Sequence, residues 1–113
     1  MSFQHVVSQI DQLPVHAVRG RVDSASAGEM ERALASAYAQ AGQKVVLDLS
    51  GLDYISSAGL RVVLMMAKRA KQSSGRLVLC GLSASVREVF EISGFLKILE
   101  VVKDLPAASA ALA

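Results

Sequence analysis

The sequence predicts an α/β fold, one domain over residues 1–113, on a mixed and mostly parallel sheet of about five strands with about four helices packed mainly on one face. Three observations carry this. After an opening pair of strands, short apolar runs alternate with segments of helical spacing, the pattern of strand–helix–strand crossovers. The run Val45-Val46-Leu47 is apolar at successive positions and rich in β-branched residues, which suits a strand buried on both faces. The composition is 52% hydrophobic but only 4% aromatic, so the core is small and branched, as in helix-on-sheet packing. That apolar fraction argues against disorder, and 113 residues can bury a core without staples.

The elements follow in order. Phe3 to Gln9 and Leu13 to Arg19 read as two short strands joined at Asp11 and Gln12, with Pro14 tolerable near the start of an edge strand. Gly20-Arg21-Val22-Asp23 leads out. Ser26 with Glu29 three residues on is a capping box, and Met30, Ala33, Leu34, Ala37, Tyr38 and Ala41 keep the spacing of one buried helical stripe closed by Gly42. Lys44 to Leu49 is the doubly buried strand. After a short polar turn, a helix from about Ser57 to Gln72 buries Leu60, Val63, Leu64 and Ala67 and exposes Arg61, Met65, Lys68, Arg69 and Gln72. Ser73-Ser74-Gly75 ends it, and Arg76 to Cys80 is a strand. Ser83 or Ser85 caps a short helix whose Val86, Val89 and Phe90 face inward, stopped by Gly94. Leu96 to Val102 reads as the last strand. Asp104 caps a final Ala-rich helix with Pro106 in its first turn, where a missing N–H costs little.

Several function classes fall away. A net charge of +2 with no dense block of Lys or Arg does not make a nucleic-acid surface. Neither a P-loop nor Gly-x-Gly-x-x-Gly occurs, and no cluster of metal ligands has a usable spacing, so no cofactor is expected. A small serine hydrolase would need Gly-x-Ser-x-Gly and a base near the serine; the motif is missing and the two histidines, His5 and His16, both lie in the opening strands. Cys80 is the sole cysteine and sits in an apolar run, as a small buried hydrophobe. No run approaches the ~20 apolar residues that span a bilayer, and no signal-peptide pattern opens the chain, which reads as cytoplasmic.

What remains is a pair of serines. Ser56 and Ser57 fall where the turn after the buried strand meets the start of a helix, beside free backbone N–H groups and the positive end of the helix dipole. Either serine suits an N-cap. A phosphate there would be held by the helix terminus while projecting charge outward, the layout of a switch.

Residues Asp48-Leu49-Ser50 through Tyr54-Ile55-Ser56-Ser57-Ala58-Gly59-Leu60 resemble the STAS domains of bacterial anti-sigma-factor antagonists. Gly20-Arg21-Val22-Asp23 looks like that family's Gly-x-Leu-Asp element. Leu79-Cys80-Gly81-Leu82-Ser83 and Phe90-Glu91-Ile92-Ser93-Gly94-Phe95 look like two later signatures, so the resemblance covers nearly the whole chain. In the family an Asp-Ser-Ser/Thr-Gly-Leu motif carries a phosphorylated serine directly after the aspartate. Matching Gly59-Leu60 to its Gly-Leu puts Ser57 at the acceptor position, with Ser56 second, Ser56 replacing the aspartate and Ala58 the following hydroxyl. The lost carboxylate removes a negative neighbour that a kinase could read.

The resemblance implies a phosphorylation-switched binding module, not an enzyme. Unmodified, it would bind an anti-sigma factor that is also a GHKL-type serine kinase; a PP2C-like phosphatase would reset it. Asp23, Ser56, Ser57, Ala58, Gly59, Arg61, Met65 and Lys68 would form the partner surface. For Asp23 and Asp48, turn capping is at least an equal role. The alternative within the same resemblance is a soluble scaffold subunit of a lipid or anion transport system.

Overall fold

A computed structural model describes residues 3–38 and 42–113. Strands β1 (Phe3–Ile10) and β2 (Leu13–Val22) form an antiparallel hairpin in register from Phe3 opposite Gly20 to Ile10 opposite Leu13. Asp11 and Gln12 close it in two residues with φ of 49° and 68°, the left-handed backbone that a tight hairpin turn needs. Helix α1 (Ala27–Leu34) follows and tightens into a 3₁₀ turn at Ala35–Tyr38. Then come β3 (Lys44–Asp48), β4 (Leu52–Ile55), α2 (Ser57–Gln72), β5 (Arg76–Cys80), α3 (Ala84–Ile92), a 3₁₀ turn at Phe95–Lys97, β6 (Glu100–Val102) and α4 (Leu105–Leu112).

The strands form one sheet in the order β1-β2-β3-β5-β6, parallel throughout except for β1. β4 lies off this path. It takes the edge of β2 beyond the end of β3, pairing Gly20 with Leu52, Arg21 with Tyr54 and Val22 with Ile55. The register slips between Gly20 and Arg21, where Gly20 has φ 89° and donates to the Gly51 carbonyl at 2.8 Å. A glycine permits that bulge without strain.

Alternation along the strands divides the core. Val18, Val22, Val45, Leu47, Leu77 and Leu79 pack under α1, α2 and α3, while Val15, Val46, Val78 and Cys80 meet Ala108 and Leu112 of α4 on the opposite face. Both faces of β3 and β5 are therefore covered, the physical reason for their unbroken apolar runs. Three helices share one face as expected; the C-terminal helix covers the other. Its N-terminus is capped by Asp104, which accepts from Ala107 N–H at 3.0 Å. Near its other end Lys44 Nζ donates to the Leu112 carbonyl at 3.0 Å and an Arg76 guanidinium nitrogen to Ala111 at 2.9 Å, cations placed at the negative end of the helix dipole.

Some expectations need correction. Ser26 precedes α1, but its hydroxyl is tied to Asp23 and caps nothing, so the expected capping box is not formed. The first helix stripe buries Met30, Leu34 and Ala37 with Ala33 half-buried; the Tyr38 side chain and Ala41 lie outside the described residues. In α2 the buried face is Gly59, Leu60, Val62, Val63, Met66 and Ala70, with Leu64 and Ala67 only half-buried, because the helix packs on α1 as well as on the sheet. The run Leu96–Leu99 is not strand: Gly94, at φ 76°, starts a 3₁₀ turn and pairing begins at Glu100. The second strand is longer than expected, reaching Val22, and its added length offers an edge on which Leu52–Ile55, expected as part of a turn, pairs as β4.

Candidate functional site

The site grows from the junction of β4 with α2. Ser56 ends the strand in extended backbone, φ −83° and ψ 171°, and its own N–H donates to the Val22 carbonyl at 2.8 Å, so the start of the helix is pinned to β2. The Ser56 hydroxyl accepts from Gly59 N–H at 3.2 Å and is the N-cap, buried to 8% exposure. Ser57 is the first helical residue and is exposed. Its hydroxyl takes no part in the cap. The sequence left the two serines interchangeable as caps; the structure gives the cap to Ser56 and the solvent to Ser57. Backbone N–H groups of Ser57 and Ala58 find no acceptor among the described residues, leaving two donors beside the exposed hydroxyl.

Gly59 is what lets this helix start lie so close to the sheet. A Cβ at that position would sit 2.7 Å from Ile55 Cγ1 and 2.8 Å from Val22 Cγ1. Both neighbours are β-branched and buried, so neither can swing aside. Ala58, half-buried, packs against the core edge.

Beside the serine, α1 and α2 enclose a groove of about 350 Å³ lined by Ser24, Ala27, Gly28 and Glu31 on one side and Ala58, Arg61, Val62 and Met65 on the other. Of the expected partner residues, the structure brings Ala58, Arg61 and Met65 together here, one turn apart along α2. Lys68 is exposed one turn further and does not line the groove. Asp23 stands at the start of the loop that forms one wall. Its Oδ1 accepts from Ser26 N–H and from Ser26 Oγ–H, both at 2.9 Å, and these bonds hold its carboxyl below the usual range. That is a turn-forming aspartate: it shapes the wall without offering a free carboxylate.

Asp48 belongs elsewhere. Its Oδ1 accepts from Ser50 N–H at 3.0 Å, and it lines a separate cavity of about 330 Å³ at the carboxyl ends of β3, β5 and β6. Cys80 lies against that cavity with its thiol pushed up to about 12, chiefly by burial and then by Asp48 and Asp104. Such a thiol carries almost no thiolate at neutral pH. Among the described residues no group of three or more His, Cys, Asp or Glu could hold a metal ion, and no described helix is long and apolar enough to cross a membrane.

Sequence reasoning missed two contacts. Arg21 stacks on Tyr54 at 4.5 Å across the β2–β4 pair, just before the serines. Nothing signals it without knowing that β4 exists. His5 and His16 are not isolated: they lie on adjacent strands with Nε2 and Nδ1 2.8 Å apart, and burial holds both below the usual imidazole range, with each other's charge adding to the effect on His16.

The family model for the STAS domain matches residues 5–108. A relative from Bordetella bronchiseptica, whose assigned name is anti-sigma factor antagonist BtrV, is 51% identical over 105 residues, which is 93% of this chain and 90% of that one. Among solved structures, an anti-sigma factor antagonist from Mycobacterium paratuberculosis superposes with a TM-score of 0.88 over 98% of this chain and 94% of its own, at 22% identity. SpoIIAA of Bacillus, solved in unphosphorylated and phosphorylated forms, superposes with TM-scores of 0.76 and 0.70 over 96% of this chain in each case, and over 96% and 99% of its own, at 18% and 17% identity. At those identities the structures show a shared fold.

Proposed function

This chain belongs to the STAS domain family, and we propose that it is an anti-sigma-factor antagonist worked by phosphorylation of Ser57. The observation that carries the reading is the division of labour at the helix start: Ser56 is buried as the cap, and Ser57 is exposed, next in sequence to Ala58, which lines the α1–α2 groove. Unmodified, the groove and the exposed side of α2 present Arg61, Met65 and Lys68 with Glu31 opposite, a mixed surface for an anti-sigma factor that doubles as a serine kinase. The relative at 51% identity carries an antagonist's name, which supports this partner class.

A phosphate on Ser57 adds about −1.5 to −2 charges at the exposed start of α2. The free N–H groups of Ser57 and Ala58 and the helix dipole stabilise it in place, so the domain need not unfold to accept it. The docked partner meets that charge at a desolvated boundary, where an unmatched charge costs several kcal/mol; each 1.4 kcal/mol is about tenfold in affinity. One modification therefore suffices to release the partner. Chemistry resides in the partners: a GHKL-type kinase transfers the phosphoryl group from ATP and a PP2C-like phosphatase removes it, in the cytoplasm. This chain is substrate and ligand.

Phosphosite mapping on Ser56→Ala and Ser57→Ala proteins, after incubation with kinases from the same genome and ATP, tests the acceptor. Full modification of the Ser57→Ala protein would overturn the assignment. Calorimetric titration of unmodified, phosphorylated, Ser57→Asp and Ser57→Ala proteins against one partner tests the switch. Binding should be kept by Ser57→Ala, weakened by Ser57→Asp and weakened more than tenfold by phosphate. Equal affinities throughout, with all proteins folded, would reduce Ser57 to an ordinary helix residue and return the scaffold reading.

A further inference from the structure

The two outer strands of the sheet are built differently. β6 has three residues, and its Glu100 is paired with Arg76 on the neighbouring strand. A short, charged edge of this kind resists pairing with a further strand. β1 has eight residues, Phe3-Gln4-His5-Val6-Val7-Ser8-Gln9-Ile10, with no charge, no proline and no bulge in its pairing with β2. Its hydrogen bonds run to β2 alone; among the described residues no backbone group of β1 bonds to anything on the outer side. Every second N–H and C=O along such an edge points outward without a partner. At its centre Val6 and Val7 are 40% and 58% exposed, among the few large hydrophobic residues left on the surface.

We propose that β1 is a docking edge for a second copy of this chain, joined antiparallel to its own β1 so that two sheets become one. A row of alternating donors and acceptors is satisfied by a strand and poorly by a helix, so the occupant is extended backbone. Symmetry then limits the register. A twofold axis relating two antiparallel neighbours stands perpendicular to the sheet, so opposed residues point to the same face and the axis passes beside a single residue. Centred on Val6, the pairing sets Val6 against Val6, His5 against Val7 and Gln4 against Ser8. Centred on Val7, it sets Val7 against Val7, Val6 against Ser8 and His5 against Gln9. In both, a valine meets its own image at the axis and no charge opposes a like charge, which would be destabilising directly across strands. A foreign strand could find no charge on this edge to recognise; a copy needs none. The edge is narrow, so the dimer falls in the weak, concentration-dependent class.

Sedimentation velocity over about 10 µM to about 1 mM, a range that brackets weak association, tests this with the unmodified chain. The mass should rise from 11.9 kDa toward twice that value. Val6→Lys and Val7→Lys, both at exposed positions, should keep the native circular dichroism and weaken association at least tenfold for the residue on the axis. Mixing Val7→Lys with Val7→Glu should restore dimers if the axis lies there, and the same mixture at position 6 if it lies at Val6. Amide exchange on the unmodified protein, independent of any variant, should show residues 3–10 gaining protection as concentration rises. A monomer throughout the range, a dimer insensitive to both lysines, or protection gained elsewhere and not on β1 would overturn the proposal.

Discussion

Two glycine-to-alanine changes, both in helices, should move stability in opposite directions. In α1, Gly28 is exposed, and an added Cβ would meet only an Arg32 guanidinium nitrogen at 3.7 Å, ordinary contact. Gly28→Ala therefore gains helix propensity and loses unfolded-state entropy without a clash, a stabilisation of about 0.5–1 kcal/mol. Gly59→Ala gains the same propensity but drives its methyl into Ile55 and Val22 at 2.7 and 2.8 Å. Overpacking a tight core costs about 1–3 kcal/mol, so the balance is a net loss near 1 kcal/mol. Urea unfolding reads both. With a slope of about 1.5 kcal/mol per molar, the Gly59 midpoint should fall by roughly 0.7 M and the Gly28 midpoint rise by about 0.3–0.7 M. The loss at Gly59 should also displace the first turn of α2, so partner affinity should drop in Gly59→Ala. A Gly59→Ala protein as stable as the parent would refute the claim that close approach of this turn to the sheet requires glycine.

Other perturbations follow from single features. Gln12→Gly relieves a side chain held at φ 68° and should add about 1 kcal/mol, read as a higher urea midpoint, while Asp11, whose carboxylate accepts from the Ser109 hydroxyl, is left alone. The His5–His16 pair favours the neutral imidazoles in the folded state, so its stabilisation is complete above about pH 6.5 and is lost as pH falls below that value. The urea midpoint should drop between pH 7.5 and pH 5, and the drop should shrink in His5→Gln; the depressed Asp23 carboxyl acts only at more acid pH, below its usual 3.8. Cys80 should resist alkylation at pH 8 unless the domain opens, its labelling rate in rising urea tracking unfolding.

Much of this was legible in the sequence because it rests on local rules. The bounds of α2, the cap at Asp104, the doubly buried β3 and the inward Phe90 all follow from spacing and capping chemistry, while spacing left Ser83 and Ser85 as alternative caps and the structure uses Ser83. What escaped depends on distant partners. β4 is four residues with Asp53 and Tyr54 exposed, a pattern that reads as turn until β2 is known to offer it an edge. Ser26 has the spacing of a cap, but Asp23 reaches it first. The apolar run before Glu100 looks like strand, and only the left-handed Gly94 coils it. At the site, sequence placed the serines at the helix start; it could not say which one the Val22 carbonyl would anchor, since that bond spans more than thirty residues of chain.

The sharing of one edge of β2 between β3 and β4 has a kinetic consequence. Holding Ser56 against Val22 closes a loop that contains all of α1 and β3, an entropic cost that grows with loop length and is met before the contact forms. Pairing Val15 with Val46 closes a loop of nearly the same length, and once β3 is docked on β2 only the short turn after β3 tethers β4 to its own stretch of that strand, so its closure is then cheap. The order of assembly should then be hairpin and parallel core first, with β4 filling the vacant stretch of β2 late. Substitutions at Ile55 or Leu52 should chiefly speed unfolding, whereas those at Val46 or Val78 should slow folding. The serine surface would be the last part of the domain to appear during folding, so a kinase that reads it would act on finished protein.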